Sequence, residues 1–186
     1  MLLNQKTLGI LGEFAPDYSK RIYGGDVAKR LKMNQKTVAN ILNKLEKEHI
    51  LRSSIEGKNK YYFLNKFNSN IREVVKLVEI GRKVDFLEKN KAVKDLFEKL
   101  EERAEGILAI FGSYAKGTAK KSSDLDIFLI GKIKDIEDLE RMYNIKINVI
   151  KADKSKFDKK EPLIREVISN HIMLKGMEDF VGLIWE

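Results

Sequence analysis

Residues 107–130 constrain the fold of this chain more than any other stretch: Ile-Leu-Ala-Ile-Phe-Gly-Ser-Tyr-Ala-Lys-Gly-Thr-Ala-Lys-Lys-Ser-Ser-Asp-Leu-Asp-Ile-Phe-Leu-Ile. Residues 107–111 and 127–130 are short, continuous apolar runs. A half-exposed strand would alternate with polar residues, so these runs predict two strands covered on both faces. The segment between them is small, polar and basic, which places any chemistry at the junction of two buried strands. Gly112 permits close backbone approach where the first strand ends. The Ser113 hydroxyl, beside backbone N–H groups at the start of a following helix, forms an anion cradle suited to a triphosphate. Strand side chains alternate, so Asp124 and Asp126 project from one side while Leu125 and Ile127 turn into the core. Two carboxylates in one small space repel unless a cation lies between them, and their hard oxygen ligands suit Mg²⁺.

A phosphate cradle beside metal-binding carboxylates implies phosphoryl or nucleotidyl transfer. The pattern of Gly112-Ser113, ten residues, then Asp124-Leu125-Asp126 resembles the signature of the DNA polymerase beta superfamily of nucleotidyltransferases, and Gly-Ser-Tyr-Ala-Lys-Gly is similar to its minimal nucleotidyltransferase branch. The resemblance implies that Gly112, Ser113 and Lys116 bind the triphosphate of an NTP, with Lys116 neutralising phosphate charge. It implies that Asp124 and Asp126 are the catalytic, Mg²⁺-holding carboxylates. It also implies a third carboxylate on a neighbouring strand, and here the chain departs from the pattern: within residues 145–150 that position is Asn148. An amide lends a metal one neutral oxygen and no charge, and it cannot act as a general base, so Asn148 predicts weakened Mg²⁺ binding.

Charge divides the chain unevenly. Residues 1–66 carry 13 Lys or Arg against 6 Asp or Glu, whereas residues 67–186 carry 23 against 22. The basic excess thus lies in the N-terminal third, which points to a module that meets a polyanion. Leu8, Ile10, Leu11 and Phe14 predict a first helix that ends at the Ala15-Pro16-Asp17 break. Val27, Ala28 and Leu31 predict a short second one after Gly24-Gly25. Asn34 is placed to cap a third helix whose buried stripe is Val38, Ile41, Leu42 and Leu45. Residues 50–55 and 60–64 have strand composition around a turn-like Glu56-Gly57-Lys58-Asn59, and Tyr61, Tyr62 and Phe63 read as its packing strand. Three helices and a hairpin are the order of a winged helix-turn-helix. In such a fold Gln35, Lys36, Thr37 and Asn40 are expected to reach base edges of double-stranded DNA, Lys44 to lie on the same helix face, and Arg52, Lys58 and Lys60 to contact phosphate.

The expected organisation is α+β: a winged helix-turn-helix over 1–66, a linker helix over 67–90, and a polymerase-beta-like nucleotidyltransferase fold over 91–186. Beyond Ile130 the pattern predicts a helix with Ile136, Leu139 and Met142 on its apolar face, a strand at 145–150, a helix at 163–168, a strand at 171–175 and a closing helix at 177–185. The linker helix either packs within its own chain or pairs with its copy in a homodimer. With no cysteine, no signal-like N-terminus and no apolar run of about 18 residues, the expectation is a cytoplasmic protein that does not enter the membrane.

The leading functional expectation is a DNA-binding protein whose second domain, by resemblance, transfers a nucleoside monophosphate from an NTP to an acceptor hydroxyl with Mg²⁺. One alternative is a transcriptional regulator in which Asn148 has left a catalytically degenerate nucleotide-binding domain. Another, implied by the minimal branch, is an antitoxin that partners a HEPN-type toxin.

Overall fold

The computed structural model describes residues 4–185. The chain divides into two compact units, Met1–Gly81 and Arg82–Glu186. Its secondary structure is mixed, with helices and two separate sheets.

In the first unit, α1 (Gln5–Gly12) starts at Asn4, whose side chain accepts the Thr7 N–H at 2.9 Å. A two-residue strand β1 (Ile22–Tyr23) leads into α2 (Gly24–Arg30) and then α3 (Gln35–Lys47). The Asn34 side chain caps α3 by accepting from the N–H groups of Lys36 and Thr37 at 2.9 and 3.3 Å, which satisfies donors that the helix itself leaves unpaired. Val38, Leu42 and Leu45 form the buried face of α3, and Ile41 is only half-buried. Strands β2 (Leu51–Glu56) and β3 (Asn59–Leu64) form a hairpin, and β3 also pairs with β1, so the sheet order is β1-β3-β2. One face of the hairpin is tied to α3. The Tyr62 hydroxyl donates to Asn43 Oδ1 at 2.8 Å, the Ser53 hydroxyl donates to Glu46, and Lys60 pairs with Glu46 at 2.6 Å. These bonds explain why Tyr62 is buried whereas Tyr61 and Phe63, pointing to the other face, are only half-covered.

Helix α4 (Ile71–Lys89) runs through the division between the units, and α5 (Lys94–Arg103) follows after a single 3₁₀ turn. The second unit contains β4 (Ala104–Phe111), α6 (Gly112–Ala115), β5 (Leu125–Ile133), α7 (Ile136–Tyr143), β6 (Ile147–Lys151), α8 (Pro162–Ser169), β7 (Ile172–Lys175) and α9 (Met177–Trp185). The sheet order is β6-β5-β4-β7. β4 lies antiparallel to β5 and β7, and β5 parallel to β6. Each face of the sheet has its own core. Leu108, Ile110, Leu125, Ile127 and Leu129 pack with Leu96, Phe97 and Leu100 of α5 and Leu139 of α7. On the opposite face Ile107, Ala109, Phe128 and Ile130 pack with Ile164 and Val167 of α8 and Phe180 of α9. Coverage on both faces is the physical reason that β4 and β5 read as unbroken apolar runs. The α7 face is less apolar than its spacing suggests, because Met142 is 63% exposed. Among the described residues, no helix is long and apolar enough to cross a membrane.

Candidate functional site

The site lies where β4 ends and β5 begins. Phe111, the last residue of β4, pairs directly with Asp126 of β5. That register brings the next residue, Gly112, against the Asp126 carboxylate. Gly112 has φ +67°, and a Cβ there would lie 2.3 Å from Asp126 Oδ2. Only glycine meets both conditions without displacement. Gly112 opens the single-turn α6, and the following loop closes on itself through Lys116 N–H to Gly112 O at 3.1 Å and Thr118 N–H to Ser113 O at 2.9 Å. Ser113 is half-buried at the base of this loop. Tyr114, on the same turn, points into the core with its ring edge-on to Phe97 at 6.3 Å, and burial pushes its phenol above the ordinary range.

Parallel pairing of β5 with β6 sets Asn148 directly beside Asp126. The Asn148 Nδ2 donates to Asp126 Oδ1 at 3.0 Å and approaches Asp124 Oδ2 at 3.4 Å. Lys146 adds a cation at 3.7 Å from Asp124 Oδ2. The two carboxylates therefore share the Asn148 amide, and Asp124 also faces the Lys146 ammonium, which offsets their mutual repulsion.

Asp124 and Asp126 thus converge on the Asn148 amide, at 3.4 and 3.0 Å, and Asp126 lies against Gly112. Lys116 is oriented differently: its Nζ pairs with Glu166 of α8 at 2.8 Å. Two neighbours of the site were missed by sequence reasoning. Lys146 lies two residues before Asn148, so the alternation of a strand was a usable signal that both face one way. Glu166 lies 50 residues from Lys116, and nothing local in the sequence announces their contact.

The donor set fits a hard divalent cation. Asp124 and Asp126 supply charged oxygens, and a half-turn of the Asn148 amide replaces its NH₂ by its oxygen. Among the described residues no group of three or more His, Asp or Glu side chains is placed to hold a metal ion; with Asn148 neutral, this donor set offers a cation two protein charges.

In the first unit, Gln35, Lys36, Asn40 and Lys44 are exposed along α3, and Thr37 is half-covered beside them. Lys58 is exposed in the turn between β2 and β3. Lys60 is turned toward α3, where its ion pair holds Glu46 below the usual carboxylate range and raises its own pKa. Arg52 pairs with Phe63 and lies on the opposite face of the hairpin from Ser53 and Lys60. The three basic residues of the hairpin therefore do not form one surface.

No curated protein matches the chain. A solved structure described as the crystal structure of the toxin-antitoxin with AMP-PNP is similar over 48% of this chain and 77% of that chain, at 18% identity and a TM-score of 0.37. Residues 93–174, the stretch that holds Gly112, Ser113, Asp124, Asp126 and Asn148, match the family model of the nucleotidyltransferase domain.

Proposed function

We propose that the second unit binds an NTP and transfers its nucleoside monophosphate to an acceptor hydroxyl: the acceptor oxygen bonds to the α-phosphorus, the bond to the β-phosphate breaks, and pyrophosphate leaves. The observation that carries this reading is the convergence of Asp124, Asp126 and Asn148 beside the Gly112-Ser113 turn, inside the stretch that matches the nucleotidyltransferase domain. Gly112 lets phosphate approach the backbone, and the Ser113 hydroxyl donates to a phosphate oxygen. Lys116 exchanges Glu166 for phosphate, an exposed ion pair that contributes little to the fold. Asp124, Asp126 and the Asn148 oxygen would hold Mg²⁺, which would supply positive charge against the phosphate. Asn148 cannot take the proton of the acceptor, so that role passes to an aspartate or to water.

The position of the Asn148 amide supports a second reading. Because the amide adds no negative charge and cannot accept the acceptor's proton, the domain is suited to hold nucleotide without transferring it, and the chain is then a nucleotide-responsive regulator. One experiment separates the two: incubation with α-phosphate-labelled NTPs and Mg²⁺ in a lysate of the source organism. Transfer is expected to give a labelled acceptor with the wild type and none with Asp126→Asn. Absence of label from the wild type, with Mg²⁺-dependent NTP binding that Asp126→Asn weakens, supports the regulator instead.

For the first unit we infer a winged helix that binds double-stranded DNA. Support comes from the element order, the exposed polar and basic stripe of α3, and the concentration of positive charge in residues 1–66. Affinity is expected to fall steeply with salt, because each neutralised phosphate releases counterions. Lys58→Ala should weaken all sequences alike and make the log–log salt slope shallower by about one. Lys60→Ala should change the slope less, because Glu46 already neutralises Lys60. A slope near zero for the wild type removes DNA binding from the proposal.

A further inference from the structure

The sheet of the second unit has two edge strands, β7 and β6, and their outer sides are finished differently. Backbone groups there lack a neighbouring strand, so a folded chain either covers them or leaves them to a partner. β7 is covered. Arg82 Nη2 donates to His171 O at 2.6 Å and Lys83 Nζ to Leu174 O at 2.8 Å, and Ile172, Met173 and Leu174 are buried. β6 is covered at one end only. Lys146 O accepts from the Leu125 N–H at 2.8 Å and the Ala152 N–H donates to Leu129 O at 2.9 Å, so the backbone groups of Lys146, Asn148, Ile150 and Ala152 face β5. By alternation, those of Ile147, Val149 and Lys151 face outward. The Ile147 N–H donates to Glu140 Oε1 at 2.7 Å, whereas among the described residues nothing meets the N–H groups of Val149 and Lys151.

The open edge is also basic. Residues 145–160 hold six lysines against two aspartates, and each aspartate accepts from backbone close by: Asp153 from the Ser155 N–H at 2.9 Å, and Asp158 from the Lys160 N–H at 2.8 Å. Lys146 lies 3.7 Å from Asp124 and Lys154 pairs with Asp179 at 3.2 Å, while Lys151, on the strand itself, is exposed and has no ion pair among the described residues. Such an edge selects its occupant. Its donors and acceptors alternate at the spacing of an extended backbone, which another peptide matches and a nucleic-acid phosphate chain, offering acceptors alone, does not. A second copy of β6 would bring its own lysines to the same edge, and like charges across paired strands are destabilising. An acidic peptide segment meets both the hydrogen-bonding pattern and the charge.

We propose that the outer edge of β6 docks an extended, acidic segment of a partner protein as an added strand of the sheet. The backbone of the segment pairs with Val149 and Lys151, and its carboxylates lie beside Lys151 and Lys146. Adjacent strands lie about 4.8 Å apart, so the partner residue next to Asn148 carries its side chain on the face that bears Asp126. In the transfer reading, on which this last step alone rests, a hydroxyl on that side chain stands at the border of the nucleotide site.

The test uses the full chain in EDTA without nucleotide, so its outcome is independent of transfer. The probe is a fluorescent synthetic peptide of alternating valine and glutamate. Its controls are the same peptide N-methylated on the amides that face a neighbouring strand, the counterpart with lysine for glutamate, and a short single-stranded oligonucleotide. Saturable binding of the acidic peptide, read by anisotropy, is expected to slow amide exchange at Val149 and Lys151 about tenfold or more. Exchange at Ile147, already bonded to Glu140, should change less. Lys151→Glu should weaken binding about tenfold, because an attractive cross-strand pair becomes a repulsive one. Lys151 is exposed, and circular dichroism checks that the variant folds. The proposal is overturned if the acidic peptide does not bind, if the N-methylated or lysine peptide binds as well, or if Lys151→Glu keeps wild-type affinity. It is equally overturned if the oligonucleotide slows exchange at the same amides, or if Val149 and Lys151 are already protected in a dimer of the chain alone.

Discussion

Asn148→Asp is expected to tighten Mg²⁺-dependent nucleotide binding by about tenfold or more, equivalent to about 1.4 kcal/mol, and to raise any transfer activity. In the wild-type site the Asn148 amide donates to Asp126 at 3.0 Å and faces Asp124 at 3.4 Å. The substitution exchanges a donor for a third carboxylate in the same place. With a divalent cation bound, the extra charge is attractive and the new oxygen is able to accept a proton. Without the cation, three carboxylates crowd one point, and Lys146, 3.7 Å from Asp124, offsets one of them. The variant should therefore be less stable than wild type in EDTA at neutral pH, by about 1–2 kcal/mol from like-charge repulsion. Isothermal titration with Mg²⁺ and NTP, together with thermal unfolding in Mg²⁺ and in EDTA, reads both effects. Equal nucleotide affinity in variant and wild type would mean that Asn148 does not face the bound metal.

Gly112→Ala is expected to damage the site more than the fold. The new methyl group meets Asp126 Oδ2 at 2.3 Å and Cγ at 3.2 Å, and the backbone stays at φ +67°. Strain in the left-handed region costs about 1–2 kcal/mol. The clash is relieved by turning the Asp126 carboxylate away from Asn148, so nucleotide binding should fall more than tenfold while the protein remains folded. Gly131→Ala should do the reverse. Its Cβ meets backbone, Glu105 O at 2.1 Å with the carbonyl carbon at 3.0 Å, and two paired strands cannot swing aside as a side chain does. A loss of about 3 kcal/mol is expected there, with little effect on affinity per folded molecule. Thermal denaturation and nucleotide titration of the two variants side by side test the contrast. Unaltered binding in Gly112→Ala would detach Asp126 from the nucleotide site.

Much of the architecture was legible because local periodicity carries it. The unbroken runs at 107–111 and 127–130 marked strands buried on both faces, and the two cores that flank β4 and β5 show why. Asn34 capped α3 as its side-chain chemistry suggested, since a cap is decided within four residues. Met142 went the other way: its spacing placed it on an apolar face, yet it is exposed. Periodicity names a face of a helix, but it does not say how far the neighbouring surface extends over it.

The arrangement of charged side chains was less legible. Alternation placed Asp124 and Asp126 on one side of a strand, and it set Arg52 apart from Ser53, but it did not reveal which groups each would meet. Lys60 looked like a free cation, and the structure pairs it with Glu46; Arg52 looked like its companion, and the structure places it beside Phe67. Lys116 looked committed to phosphate, and in the structure it meets Glu166.

The sequence by itself determined most of the elements, the Asn34 cap, and the residue types available at the β4–β5 junction, because these depend on neighbours a few residues away; the short strand β1 was not among them. The tertiary structure alone decided the pairing of Asp126 with Asn148 across β5 and β6, the approach of Lys146 to Asp124, and the place of β6 at the edge of the sheet. The physical reason is register. Contacts between residues 22 or 50 positions apart are set by how whole strands and helices slide against one another to fill the core, and no local pattern records that choice.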